Sequence, residues 1–372
     1  MAKYFIIAGE ASGDIHAAEL IKQIQLKDSR SQFIGLGGDQ MVAAGCRIYQ
    51  HIRHMAFMGY VAVLRNLGQV RRNFRIAEQA LMAEQPDVLV LIDYPSFNLR
   101  MAAFCRKHLP HTKIYYYIPP KVWAWKKRRV HRIARLCDEV LGIFPFEPAF
   151  YARYGYHCTY VGHPTVEEMG RKKEEKERMK EEKERKKMIA LLPGSRPSEI
   201  THCLQTMLAA ARRFPEYQIV VSAAPGIEDS FYTPYLQETE RLTRDTYSAV
   251  QQASAAVVNS GTATLETALL GCPQVAVYHL AYSCLLRCIK WAKPLIFSIP
   301  YFTPVNIISG KEIIRECVAY DFTEAKVCAE LQRILTDEAY KKEMLAEYEH
   351  LITLLGTQPA SETAARIITS RP

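Results

Sequence analysis

"KYFIIAGEASGDIHAAEL", residues 3–20, decides the fold class. An apolar run from Phe5 to Ala8 breaks at Gly9 into small and acidic residues, then passes into an Ala-rich segment that favours helix. A strand, a small-residue turn and a helix start make the unit in which α/β proteins hold phosphates, because the first helical amides are unpaired and the dipole is positive there. The turn offers Glu10, Ser12, Gly13 and Asp14 to whatever it binds. Whether that is a nucleotide depends on the rest of the chain.

The same unit recurs. "QFIGLGG" (32–38), "DVLVLID" (87–93), "KIYYYI" (113–118), "DEVLGIF" (138–144) and "HCTYVG" (157–162) resemble buried strands, with helical segments such as 19–26, 69–83 and 99–108 between most of them. Strands that are apolar at nearly every position are buried on both faces, which means a parallel sheet covered by helices. The alternation restarts with "MIALLPG" (188–194), "QIVVSAAPG" (218–226), "AAVVNSG" (255–261) and "QVAVYH" (274–279). At 372 residues the chain is long for one core. The expectation is an α/β protein with two Rossmann-like, doubly wound parallel-sheet domains, 1–168 and 188–340. The stretch 337–371 reads as helix, and 341–372 forms a closing helical segment.

Between the halves lies "RKKEEKERMKEEKERKK" (171–187), with ten basic and six acidic residues around one Met. Mixed signs at this spacing make a solvated helical connector with i,i+4 ion pairs, placed at 169–187, rather than an arm for nucleic acid. The net charge of +9 favours anionic partners without choosing among them. Ten cysteines without a C-x-x-C pair read as reduced, mostly buried thiols. The pairs His51/His54 and His108/His111 lack cysteine or acidic company, so no metal site is expected. Only a four-residue apolar run precedes Gly9, and no run of about 20 uncharged apolar residues exists, so the expectation is a cytoplasmic protein without signal peptide or membrane span.

Candidate chemistry sits at strand ends. In "IALLPGSRPSEI" (189–200) a strand runs into Gly194, Ser195 and Arg196, and Pro197 opens a helix. Glycine lets the backbone approach closely, and arginine presents a planar fork to phosphate. An ordinary strand–helix turn with a surface arginine would look the same. "VVNSGTATLETALLG" (257–271) repeats the pattern with Ser260, Gly261 and Thr262, and Glu266 one turn further on can accept from a ribose diol. Two such turns in one half suggest a nucleotide diphosphate site. The absence of G-x-x-x-x-G-K-[ST] and G-x-G-x-x-G disfavours P-loop hydrolysis and nicotinamide chemistry. In "LIDYPSFNLRMA" (91–102), Asp93 ends an apolar strand; it reads as a general base or as a carboxylate bonded to nearby backbone. "YIPPKVWAWKKRRVHRI" (117–133) sets Trp123 and Trp125 among Lys and Arg, which suits a sugar or phosphate, or else a surface helix with an aromatic anchor.

Two segments pair apolar stripes with basic residues. Residues 55–75 hold Phe57, Met58, Tyr60, Val61, Leu64 and Leu67 beside Arg65, Arg71, Arg72 and Arg75. Residues 280–297 hold Arg287, Lys290 and Trp291. That combination marks contact with an anionic membrane surface, although a core-facing amphipathic helix also shows it.

In this order, "AGEASGD", "GLGG", "MGYVAVL", "PDVLVLIDYPSFN", "PPKVWAWKKRRV", "FPFE", "VGHP", "LLPGSR", "SGTATLE" and "NIISGKE" resemble the lipid A disaccharide synthase family over most of the chain. The resemblance implies an inverting glycosyltransferase of the GT-B architecture, two Rossmann-like domains facing a cleft. It implies transfer of 2,3-diacylglucosamine from UDP to the 6′-hydroxyl of 2,3-diacylglucosamine 1-phosphate (lipid X), at the cytoplasmic face of the bacterial inner membrane and without a metal or other cofactor. By the same resemblance Asp93 is the base, Arg196 meets the donor diphosphate, and Glu266 and Asn306 bind nucleotide. Glu10 to Asp14 would line the acceptor side, so the opening turn is not the nucleotide's. The last helix would pack back on the first domain or on a partner in a homodimer. On the same scaffold a UDP-N-acetylglucosamine 2-epimerase or a transferase for a soluble acceptor is the rival reading, and a non-catalytic nucleotide-sugar sensor a more distant one.

Overall fold

The computed structural model describes residues 2–55, 67–124, 127–178, 185–279 and 300–370. They form two compact units, one of residues 1–167 with 358–372, the other of residues 168–357.

Unit 1 is built on seven parallel strands: β1 (Lys3–Ala8), β2 (Gln32–Gly37), β3 (Arg47–His51), β4 (Val88–Ile92), β5 (Lys113–Tyr117), β6 (Glu139–Gly142) and β7 (Thr159–Tyr160), in the order β3-β2-β1-β4-β5-β6-β7. The helices are α1 (Ala11–Lys27), α2 (Asp39–Ala43), α3 (Leu67–Glu84), α4 (Pro95–His108), α5 (Arg129–Leu136) and α6 (Glu147–Ala152). Strands β1 and β4 are buried almost throughout and pair with Ile6 opposite Val90, so their aliphatic side chains fill both sides of the sheet. The order reverses between them. Their carboxyl ends therefore flank the switch point, the place in such sheets where a crevice opens.

Helix α7 (Pro164–Arg178) carries the chain from one unit into the other. Unit 2 has six parallel strands, β8 (Lys186–Leu192), β9 (Gln218–Ser222), β10 (Arg241–Thr243), β11 (Ala253–Asn259), β12 (Gln274–Tyr278) and β13 (Glu316–Val318), ordered β10-β9-β8-β11-β12-β13. Its helices include α8 (Pro197–Ala211), α9 (Thr246–Gln252), α10 (Thr262–Leu269), α11 (Pro304–Ser309), α12 (Glu324–Thr336) and α13 (Glu338–Leu355). Here the switch point falls between β8 and β11.

Finally α14 (Ala360–Ser370) returns to unit 1 and packs on α1, burying Ala364, Ala365 and Ile368. Its start is held by Glu167, which accepts from the Ser361 amide at 2.9 Å and from the Ser361 hydroxyl. Several boundaries differ from the sequence reading. The stretch 337–371 is two helices, broken at Gly356 with φ +65° and by Pro359, and the return to unit 1 begins at 358 rather than 341. Within the charged run the described residues 171–178 belong to α7, and the last two lysines already belong to β8.

Candidate active site

In unit 1 the carboxyl end of β4 turns at Asp93 and Tyr94, both left-handed at φ +43° and +46°. Neither is glycine, so the turn is strained and persists only because its surroundings fix it. The Asp93 amide donates to the Ile118 carbonyl at 3.1 Å. Its carbonyl accepts from Asn98 Nδ2 at 2.7 Å and from the Tyr116 hydroxyl at 2.8 Å. All these bonds use main-chain atoms, which leaves the half-buried carboxylate to face a pocket of about 200 Å³ lined by Pro95, Pro120, Lys121, Val122 and Arg129. Burial lifts the Asp93 carboxyl above the ordinary aspartate range, with the Lys121 ammonium and the Tyr94 amide pulling the other way.

The opening turn, at the end of the neighbouring β1, divides in function. Gly9 is pressed against the Tyr94 ring, where a Cβ would lie 2.2 Å from the nearest ring atom. Glu10 stands half-buried at the N-cap position of α1 without capping it through its side chain, and its charge adds to burial in raising the Tyr94 phenol. Ser12 is exposed. Gly13 packs inward against Ala8 and Ile92. Asp14 points the other way: buried, it accepts from the amides of Gly38, Gln40 and Met41 at 2.7, 3.0 and 3.1 Å, and so caps α2. Its acceptor-side assignment is corrected accordingly.

Of the two readings of Trp123, the structure shows the aromatic anchor. It is buried and donates through Nε1 to Glu147 Oε1 at 3.0 Å, while Oε2 of the same carboxylate takes the amides of Ile143 and Phe144. This is an aromatic anchor of the Pro120–Trp123 loop; Trp125 lies outside the described residues. Burial pushes the Glu147 carboxyl up to about 7 despite these donors and Lys121. Its folded value stands above the unfolded one, so its contribution to stability is full below about pH 4 and fades as pH rises through about 7. Trp123→Phe removes one donor from that carboxylate and should reduce stability by about 1–3 kcal/mol. The deficit should be larger at pH 8 than at pH 5 in urea unfolding, and substrate KM should stay put. An unchanged midpoint with a raised KM would instead return Trp123 to ligand binding.

In unit 2 the two turns read from the sequence meet. Gly194, Ser195, Arg196, Ser260, Gly261, Thr262 and Glu266 all line one pocket of about 320 Å³ at the β8/β11 switch point. The helices α8 and α10 both begin there, which suits an anion. Gly194 stands at φ +123°, and a Cβ on it would come within 2.6–2.8 Å of Glu199 and Asn259 Nδ2. Glu199 accepts from the Ser195 amide at 3.0 Å and pairs with Arg196 at 3.2 Å, so the guanidinium is parked beside the pocket mouth. Glu266 is half-buried; burial and then the Glu168 charge raise its pKa, with Lys172 opposing.

Sequence reading missed Ser222, Thr246 and Asn259, which line the same pocket. Ser222 ends β9 and Asn259 ends β11, and a polar residue closing an apolar strand was the signal available. Asn306 is a further correction, because it does not line the pocket. Wholly buried, it gives Nδ2 to the Ile314 carbonyl and Glu316, and takes the Ile313 and Ile314 amides on Oδ1. It ties α11 to the turn that leads into β13. Of the residues expected from the sequence to meet a membrane, Phe57, Met58, Tyr60, Val61, Leu64, Arg287, Lys290 and Trp291 lie outside the described residues, and Leu67 opens α3. Among the described residues no helix is long and apolar enough to cross a membrane.

A family model described as lipid-A-disaccharide synthetase matches residues 4–368. The chain belongs to this family. The lipid-A-disaccharide synthase of Geobacter sulfurreducens is 34% identical over 98% of this chain and 96% of its own length. That of Syntrophus aciditrophicus is 35% identical over 97% and 95%. Among solved structures, the UDP-GlcNAc 2-epimerase of Neisseria meningitidis superimposes with a TM-score of 0.66 at 10% identity, over 99% of this chain and 100% of that one. The calicheamicin glycosyltransferase CalG4 does so with a TM-score of 0.61 at 12%, over 100% and 99%. At such identities these structures speak for the GT-B fold alone. Family membership selects between the activities that share it: as a lipid-A-disaccharide synthase the protein is a glycosyltransferase of lipid A biosynthesis, not an epimerase.

Proposed function

We propose that unit 2 holds the UDP of UDP-2,3-diacylglucosamine in the pocket at 193–196 and 260–266, and that Asp93 serves the acceptor, lipid X. The acceptor 6′-hydroxyl attacks the anomeric carbon opposite the departing UDP, and Asp93 takes its proton as the bond forms. Charge then grows on the diphosphate. Arg196, swung away from Glu199, and the amides at the starts of α8 and α10 stabilise it, which is a metal-free way to ease the leaving group. Glu266 accepts from the ribose, and Glu10 and Ser12 line the acceptor's path. What carries this reading is the convergence of two turns 65 residues apart on one pocket at a switch point. The Neisseria meningitidis epimerase of like fold, solved with UDP-GlcNAc bound, supports the choice of ligand.

We place the protein at the inner face of the inner membrane, since both substrates carry acyl chains. Exposed Arg71, Arg72 and Arg75 on α3 directly follow the apolar segment 57–67, and each basic residue near an anionic surface adds about 1 kcal/mol. UDP release measured with the diacylated donor should require lipid X and survive excess chelator. The enzyme should pellet with anionic liposomes at low salt and much less at high salt. Release without lipid X, or a chelator-sensitive rate, would contradict the mechanism; salt-independent recovery in the supernatant would contradict the location.

A further inference from the structure

We propose that Asn98 and Tyr116 are positioning residues for the transfer: they hold the main chain of Asp93 so that its carboxylate stays aimed into the small pocket. This rests on the reading of Asp93 as base. A base acts only if its carboxylate is kept within hydrogen-bond reach of the hydroxyl it deprotonates. The buried carboxylates Asp14 and Glu147 are fixed directly, by three donors each. Asp93 is not. Among the described residues no side chain donates to its carboxylate, on which the Tyr94 amide and the Lys121 charge act. Its aim is therefore set by the backbone from which it projects.

That backbone is strained. Asp93 and Tyr94 are left-handed at φ +43° and +46°, and neither is glycine. Unrestrained, the turn would relax toward ordinary extended or helical backbone and swing the Asp93 Cα–Cβ bond with it. Its restraint centres on one atom, the Asp93 carbonyl oxygen, which accepts from Asn98 Nδ2 at 2.7 Å and from the Tyr116 hydroxyl at 2.8 Å. The same Nδ2 donates to the Ile92 carbonyl at 3.1 Å, so one amide ties the last residue of β4 to the turn that follows. On the other flank the Asp93 amide donates to the Ile118 carbonyl at 3.1 Å. Asn98 is completely buried, yet its Oδ1 has no donor among the described residues. Turning the amide over would set that oxygen against two carbonyl oxygens, so its orientation is fixed. A buried acceptor without a partner is a cost the fold bears in order to keep both N–H bonds of this amide at the turn.

The test is a double-mutant cycle on the full-length enzyme, read as UDP release with the diacylated donor and lipid X. Asn98→Leu removes both N–H donors at similar volume. It should lower kcat by about 10–100-fold, as a misplaced base does, while KM for both substrates and the affinity for UDP stay within about twofold. Tyr116→Phe should lower kcat in the same sense but less, because Asn98 still holds the carbonyl. In the Asp93→Asn background neither change should slow transfer by more than about twofold, since both act through the carboxylate already removed. A loss that recurs at full size in that background would overturn the positioning role and leave Asn98 a structural residue. So would a raised KM at constant kcat, or a normal kcat in Asn98→Leu. If Asn98→Leu fails to fold, Tyr116→Phe, which loses a single hydroxyl, carries the same cycle, and a normal kcat there overturns the proposal. Near-normal turnover in Asp93→Asn would remove the base and this role with it, whereas a slow Asp93→Asn with an undiminished Asn98 effect sinks the role alone.

Discussion

Asp93→Asn should slow sugar transfer by roughly 10²–10⁴-fold while leaving the fold and UDP affinity intact. The substitution removes only the proton acceptor. Asparagine is among the few residues that adopt left-handed backbone readily, and the amide and carbonyl bonds to Ile118, Asn98 and Tyr116 do not involve the side chain. A folding defect is therefore not expected, and circular dichroism with UDP titration would check it. The same burial predicts a pH signature. Because burial raises the Asp93 pKa, kcat/KM should fall with decreasing pH at values above the ordinary aspartate midpoint of about 3.9. The sign is that of a base, active only when deprotonated. Near-normal turnover in the asparagine variant would remove Asp93 from the role.

Arg196→Ala should lower kcat/KM for the donor by roughly 10²–10³-fold and weaken UDP itself by about 10–100-fold. In the present structure the guanidinium is half exposed and meets Glu199 at 3.2 Å, a surface pair contributing little. Releasing it toward a diphosphate is therefore inexpensive. The turn does not depend on it, because Glu199 keeps the Ser195 amide at 3.0 Å through its other oxygen. Loss of affinity in this variant would thus report on the ligand rather than on a collapsed loop. Calorimetric titration showing equal affinity for UDP and donor in both proteins would contradict the placement.

Most strands that the sequence shows are buried on both faces, such as Val88–Ile92 and Lys113–Tyr117. The ones it hides are edge strands. Arg47–His51, Arg241–Thr243 and Glu316–Val318 pair on one side only and carry polar residues, so no apolar run marks them. The site divides along a similar line. The turns at 193–196 and 260–266 are legible because glycine, hydroxyls and helix start are neighbours in the chain. Asp14, Asn306 and Trp123 carry the right chemistry for ligands, yet their partners are amides and a carboxylate 7 to 27 residues away, which local pattern does not reveal. Lys121 was hidden for the converse reason: it stands among several neighbouring basic residues, and only the fold shows that it lines the pocket at Asp93.

The return of α14 onto α1 bears on how the protein is made. The half that leaves the ribosome first lacks a helix until residues 360–370 have been synthesised, so its sheet waits with the α1 surface uncovered while the later half, residues 168–357, completes itself. Shortening the chain at 357 should therefore injure the amino-terminal lobe, far away in sequence from the cut.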